Sequence, residues 1–167
     1  MTVELDTTLD TTLLHITIAS TKQRSHLVGV QEHVWSHDMT YSADTDELVT
    51  AVTPQQALCQ MAPYTSQDSL TVAMDWLTCH NDELRQCTHT ELSDYINEVG
   101  RFRGVTRCRK ALARSVEGTD SPRESELRLG LVDFGLPTPE VNHPISDIEE
   151  GTEWLCDIVY VDEHVVI

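Results

Sequence analysis

The chain has 167 residues, a length that suits one domain or two small ones. Hydrophobic residues make up 40% and charged residues 23%, which supplies a globular core and excludes low-complexity disorder over most of the length. The formal charge is -17, from 28 acidic residues against 11 Lys and Arg, which excludes a generally basic nucleic-acid-coating protein and a polybasic membrane binder.

No run approaches the ~20 apolar residues that cross a bilayer. The first twenty residues carry acids and no basic run, so they do not read as a signal peptide. Five cysteines, spread without tight pairing, fit a reducing compartment better than a disulfide scaffold. A cytoplasmic protein without a membrane partner is the expectation.

In chain order, residues 1–12 are rich in Thr and Asp and read as loose. LLHITIAS (13–20) has a β-branched alternation and predicts a strand. Lys22 to Ser25 reads as a turn, HLVGVQEHVWS (26–36) as a second strand, and DELVTAV (46–52) as a short third one. A small antiparallel β unit over residues 1–52 follows from these. The period then changes to helical. Thr53-Pro54 is an N-cap followed by a first-turn proline, and Ala57, Leu58 and Met61 give an apolar face. Further helices are predicted over 66–79, 90–99 and 105–116, which makes 53–118 a helical region. In residues 119–167 a helix over 121–134, stopped by Gly135, precedes strands over 141–145, 153–161 and 164–167. The fold class is α+β: an N-terminal β-rich unit, a central helical layer and a C-terminal sheet carrying one helix.

Four constellations carry candidate chemistry. Ser121-Pro122-Arg123-Glu124 is a capping-box pattern in which Glu124 reaches back to the cap amide; a first-turn carboxylate can also face a neighbouring sheet and hold metal. Asp157 interrupts an otherwise apolar strand, so it is either solvated or a ligand for a hard divalent cation. Cys79, His80, Cys87 and His89 are all zinc-ligand types, but their spacing departs from the usual pattern, and a core thiol is the better reading of Cys79. Arg101, Arg103, Arg107, Arg109, Lys110 and Arg114 are six of the eleven bases and lie in a stretch without acids. On a helix Arg103, Arg107, Lys110 and Arg114 share one face, either solvated and paired with the many acids or laid along a phosphate backbone.

SPRESELRLGLVDFGLPTPEVNHPI (121–145) followed by WLCDIVYVDEHVVI (154–167) resembles the DUF559, or very-short-patch-repair-like, endonuclease domain of the PD-(D/E)XK superfamily. The shared order is SPxE, helix, GLPxPxxN, strand, Asp, strand. Upstream, HVWS (33–36) and VTPQQALCQMAP (52–63) are similar to the AbiEi-antitoxin-like region that precedes such domains. The resemblance implies a restriction-endonuclease-like mixed sheet, with Glu124 and Asp157 matching the helix and strand carboxylates that hold Mg²⁺, which lowers the pKa of the attacking water. The family's next strand carboxylate would fall directly after Ile167, and its N-terminal winged helix is missing or very short. The expectation is a sheet cut short, with Mg²⁺ held through two carboxylates at best. A truncated gene, a fragment of a longer protein, or a sheet completed by a partner chain would each account for it.

Two functions follow as expectations. One is a DNA-associated, catalytically incomplete endonuclease-like protein whose remnant metal site is Glu124 and Asp157 and whose DNA-backbone contact is Arg103, Arg107, Lys110 and Arg114. The other is a non-catalytic regulatory or protein-interaction module of toxin–antitoxin type.

Overall fold

The computed structural model describes residues 5–42, 50–147 and 151–167. The β-branched alternation of LHITI forms β1, Leu14–Ile18, and VQEHV forms β2, Val30–Val34. They pair in parallel, Leu14 opposite Val30 and Ile18 opposite Val34, so the antiparallel unit expected from the sequence is corrected. The connection explains the difference. A tight hairpin would reverse the chain, but residues 19–29 carry it back to the start of β1, through a 3₁₀ turn over Thr21–Gln23 and Gly29 at φ +80. Most of the expected strand over 46–52 lies outside the described residues. At its far end Val52 makes an isolated antiparallel bridge with Tyr41.

Among the described residues five α-helices follow: α1, Pro54–Met61; α2, Gln67–Leu77; α3, His89–Val99; α4, Val105–Leu112; and α5, Pro122–Asp133. Four have the caps their sequences advertise. Thr53, Ser66, Thr88 and Ser121 each accept the amide three residues on, and Thr88 with Glu91 closes a full capping box. Each cap is worth about 1 kcal/mol.

The start of α4 is different. Its N-cap is Gly104 at φ +89, with no side-chain cap, and a Cβ there would stand 2.8 Å from the Pro63 nitrogen and 2.9 Å from the Ala62 carbonyl carbon. The entry to α4 is therefore pressed onto the end of α1. Arg107 locks the same junction, donating through Nη1 to the carbonyls of Ala62 (3.0 Å) and Thr65 (2.9 Å).

The first four helices and Trp35 enclose the core: Leu58, Cys59, Ala62, Leu70, Met74, Cys87, Leu92, Ile96, Cys108 and Ala111 are all buried. Burial of this apolar surface is the main favourable term in folding. The α2 helix packs on α1, α4 and α5 and so is the hub.

The C-terminal sheet comprises β3, Glu140–Asp147, β4, Thr152–Tyr160, and β5, Val165–Val166, in the order β3-β4-β5. Among the described residues every pairing in it is antiparallel, so the mixed sheet expected from the family resemblance is not what forms. Short connections between successive strands permit only reversal, and parallel pairing would need a long crossover. The sheet meets the helical layer through a helix and through a side chain of β3. The α5 helix packs on β4, and Asn142, in β3 at φ +47, donates through Nδ2 to the carbonyl of Gly118.

Candidate functional site

The two carboxylates singled out in the sequence are differently employed. Glu124 sits in the first turn of α5, its Oε2 accepting the amide of Asp120 at 2.9 Å while its own amide donates to the Ser121 hydroxyl. The capping geometry is therefore real, with the return bond made to the residue before the N-cap rather than to the cap itself. Asp157 is an exposed residue of β4, set between Cys156, opposite His143, and Ile158, opposite Val141. No group of three His, Cys, Asp or Glu side chains among the described residues could hold a metal ion. A hard cation such as Mg²⁺ wants several oxygen ligands, and one capping carboxylate with one exposed aspartate does not supply that set.

The Cys/His group is likewise dispersed. Cys79 is buried with its thiol against the carbonyl of Asn81, Cys87 is in the core, His80 is exposed and His89 Nε2 meets the Ser115 hydroxyl at 2.9 Å. Burial, then the charges of Glu91 and Glu117, push the Cys87 thiol up to about 11, and burial raises that of Cys79. Thiols held protonated are poor metal ligands, because the thiolate is the form that binds.

The basic stripe divides into separate tasks. Arg114, in the turn after α4, pairs with Asp68 and Asp133, both at 2.5 Å, so it ties α2 to α5. These carboxylates hold its guanidinium in the charged form. Arg107 is bound to the carbonyls at the end of α1. Lys110 is exposed on α4, and Arg103 stacks over the Tyr64 ring, 5.2 Å from its centroid.

The convergence that the sequence did not reveal lies where Arg103 points. A cleft of about 570 Å³ opens between the β2 segment, the end of α1 and the loop before α4. Its lining includes Arg24, Arg101 and Arg103 with a single carboxylate, Glu32. Among the described residues none of these three arginines is in an ion pair, although acids outnumber bases in the chain. Glu32 is taken up by Ser25, whose amide and hydroxyl both approach its Oε1 at 2.7 Å and hold the carboxyl below its ordinary range.

Aromatic rings make the walls. Trp35 lies 5.0 Å from His37 and 5.7 Å from Phe102, centroid to centroid, and Tyr64 meets His33 edge-on at 5.7 Å. His33 in turn stacks on His15, and its Nε2 is 2.7 Å from His15 Nδ1. The carbonyl of Asp10, which can only accept, faces His15 Nε2 at 2.8 Å. His15 Nε2 therefore carries a hydrogen. Burial, then the nearby His15, lower the pKa of His33. Among the described residues, two buried donors on residues of the lining have no partner: the Nε1–H of Trp35, which is 4% exposed, and the Nε2–H₂ of Gln60. The Gln60 amide is oriented by Thr17, whose hydroxyl donates to its Oε1 at 2.9 Å.

Only Arg101 and Arg103 of this cleft belong to the basic run visible in the sequence. The one signal for the rest was the pair of upstream motifs, HVWS and VTPQQALCQMAP, which supply His33, Trp35, Cys59 and Gln60 to the cleft.

No family model matches the chain, and no solved structure matches it. Two curated proteins of Mycobacterium tuberculosis, from different strains, are similar to part of it: Uncharacterized protein MT2308 and Uncharacterized protein Rv2248. Each is 32% identical over 77 residues. The match spans 46% of this chain and 28% of either relative, so what is shared is a segment of under a third of their length.

Proposed function

We propose that the protein associates with DNA without cleaving it and that the arginine-lined cleft is where the phosphate backbone is held. The observation that carries this reading is the gathering of Arg24, Arg101 and Arg103 on one aromatic cleft, free of ion pairs among the described residues, in a chain of charge -17. An acidic protein repels DNA over most of its surface, so a local basic site must do the binding. Absence of cleavage fits the employment of Glu124 as a helix cap, its carboxylate accepting the Asp120 amide.

Fluorescence anisotropy with a labelled oligonucleotide tests the reading. Affinity should fall roughly ten- to fortyfold between ~50 and ~200 mM salt, as expected for about two or three neutralised phosphates. Reversing Arg101 and Arg103, both exposed, should abolish binding. No binding at ~50 mM salt would sink the proposal. Mg²⁺- or Mn²⁺-dependent nicking that disappears in Asp157→Ala would overturn the non-cleaving part.

A protein-interaction module of toxin–antitoxin type is the second reading. It is favoured by the apolar side chains that the C-terminal sheet leaves exposed, among them Trp154, Leu155, Val165 and Val166. A stable complex with a protein partner, lost on changing Trp154 and Leu155 to serine while DNA binding is absent, would favour it over the first.

A further inference from the structure

We infer that the C-terminal sheet takes up an extended segment of a partner protein as a further strand beside β4, and that this segment alternates apolar with basic residues. The inference rests on the protein-interaction reading above and adds the partner's backbone state and charge to it. β4 shares no residue with the lining of the arginine cleft, so the two surfaces can be tested separately.

The backbone comes first. β3 pairs with β4 from Val159 back to Thr152. On its other side β4 is covered by β5 only at Val159 and Tyr160, with Ile167 donating to the carbonyl of Ile158 at 2.9 Å. In an antiparallel ladder the N–H and C=O of one residue point to one side and those of the next residue to the other. Ile158 faces the β5 side, so Trp154 and Cys156 face that side too, past the point where β5 stops. Among the described residues, neither has a backbone partner there. An unpaired edge of this kind is a template for another strand.

The side chains come second. The period of two sorts Trp154 and Cys156 onto one face of β4 and Glu153, Leu155 and Asp157 onto the other. Trp154 is 63% exposed, and Glu153 and Asp157 are exposed as well. A strand laid antiparallel along this edge sets one of its faces beside the Trp154 ring and the other beside two carboxylates. Apolar residues suit the first face, and Lys or Arg the second. The wider charge agrees. From Leu129 to Ile167 the sequence holds nine Asp and Glu and no Lys or Arg. That field repels nucleic acid, and it repels the same edge of a second copy. The arrangement also gives Asp157, an acid in an otherwise apolar strand, a task that needs no metal.

The test measures binding of labelled hexapeptides to the whole chain by anisotropy at ~50 mM salt, where surface charges are only partly screened. One peptide alternates Val and Lys. A second alternates Val and Glu. A third holds the Val and Lys residues of the first in two blocks, which keeps the charge and destroys the period. The alternating Val/Lys peptide should bind about tenfold tighter than the Val/Glu peptide and about fivefold tighter than the blocked one, because cross-strand pairs on both faces are lost or reversed. A residue directly opposite Trp154 lies on the same face and exchanges both ladder bonds with it. Backbone N-methylation of the valines should therefore abolish binding, whereas N-methylation of the lysine amides should leave it. Glu153→Lys combined with Asp157→Lys should reverse the preference between the Val/Lys and Val/Glu peptides. The peptide series on the wild-type chain needs no variant, so a poorly folding one does not rescue the idea. A blocked or valine-methylated peptide bound as tightly as the alternating one overturns the inference, and so does binding of none of them. Dimers of the protein alone that disappear in Trp154→Ser would make the occupant a second copy and overturn it likewise. In any of these cases a stable complex with a protein partner, lost on changing Trp154 and Leu155 to serine, leaves the protein-interaction reading standing. Absence of that complex as well removes both.

Discussion

Gly104 is the residue whose side chain matters most by its absence. Two separate requirements meet there: a left-handed φ of +89, and a backbone approach in which a Cβ would come within 3 Å of Pro63 and Ala62. Gly104→Ala should cost about 2–4 kcal/mol, since strain and overpacking add. That lowers the melting temperature by on the order of 10 °C in a chain of this size, readable by circular dichroism. A sequence reader sees the glycine but not the neighbour it is pressed against. His33 gives a pH-dependent counterpart. Its folded pKa lies below the ordinary 6.5, because it is partly buried and beside His15. The unfolded chain therefore takes up a proton more readily than the folded one. The associated stability is complete above about 6.5 and declines as pH falls from there toward the lowered folded value. Thermal melts of wild type and His33→Gln between about pH 7.5 and 5 should diverge in that direction. Glutamine can still hydrogen-bond His15 but does not titrate, and parallel profiles would refute the assignment.

The helices were legible because caps and apolar spacing are local. Thr53-Pro54, Thr88 with Glu91, and Ser121-Pro122 each act within one turn, and helices begin at all three. Strand direction was not legible. The alternation in LHITI and VQEHV fixes which residues extend, whereas parallel pairing depends on where residues 19–29 travel. The joint between α2 and α5 was equally hidden. Asp75 and Arg128 are 0% and 2% exposed and meet at 2.6 Å, and Asp75 also accepts the Val116 amide. Burial pushes the Asp75 carboxyl up, against the pull of Arg128. Arg128→Met should therefore destabilise by about 3–5 kcal/mol near neutral pH, because it leaves a buried charge unpaired. The deficit should shrink as pH falls and Asp75 takes a proton. The double variant Asp75→Leu with Arg128→Met should recover most of the loss. Urea titrations at two pH values check all three statements, and an unrecovered double variant would mean that the pair holds α5 in place by more than mutual neutralisation.

Taken across all 167 residues, the charge of -17 acts on folding and on binding with opposite sign. Self-repulsion opposes the compact state, so raising salt from ~50 to ~500 mM should raise the melting temperature as the Debye length shrinks. The same salt should weaken attachment of DNA to the cleft. A thermal-melt series run beside the anisotropy series tests the pair; a stability that falls with salt would mean that attractive ion pairs such as those of Arg114 outweigh the repulsion. Composition, period and capping chemistry are carried by neighbouring residues, and they were sufficient for the α+β class, the five helices and the strand positions of the C-terminal sheet. They were silent on partners distant along the chain. The arginines drawn as one stripe on a helical wheel were separated by contacts with Asp68, Asp133 and the end of α1. Arg24, Trp35, Gln60, Tyr64 and Phe102 were brought to one cleft by packing that closes loops of tens of residues. Hydrogen-bond periodicity has a reach of a few residues, whereas which side chains share a cavity depends on how whole elements dock, and that information exists only once the chain has folded.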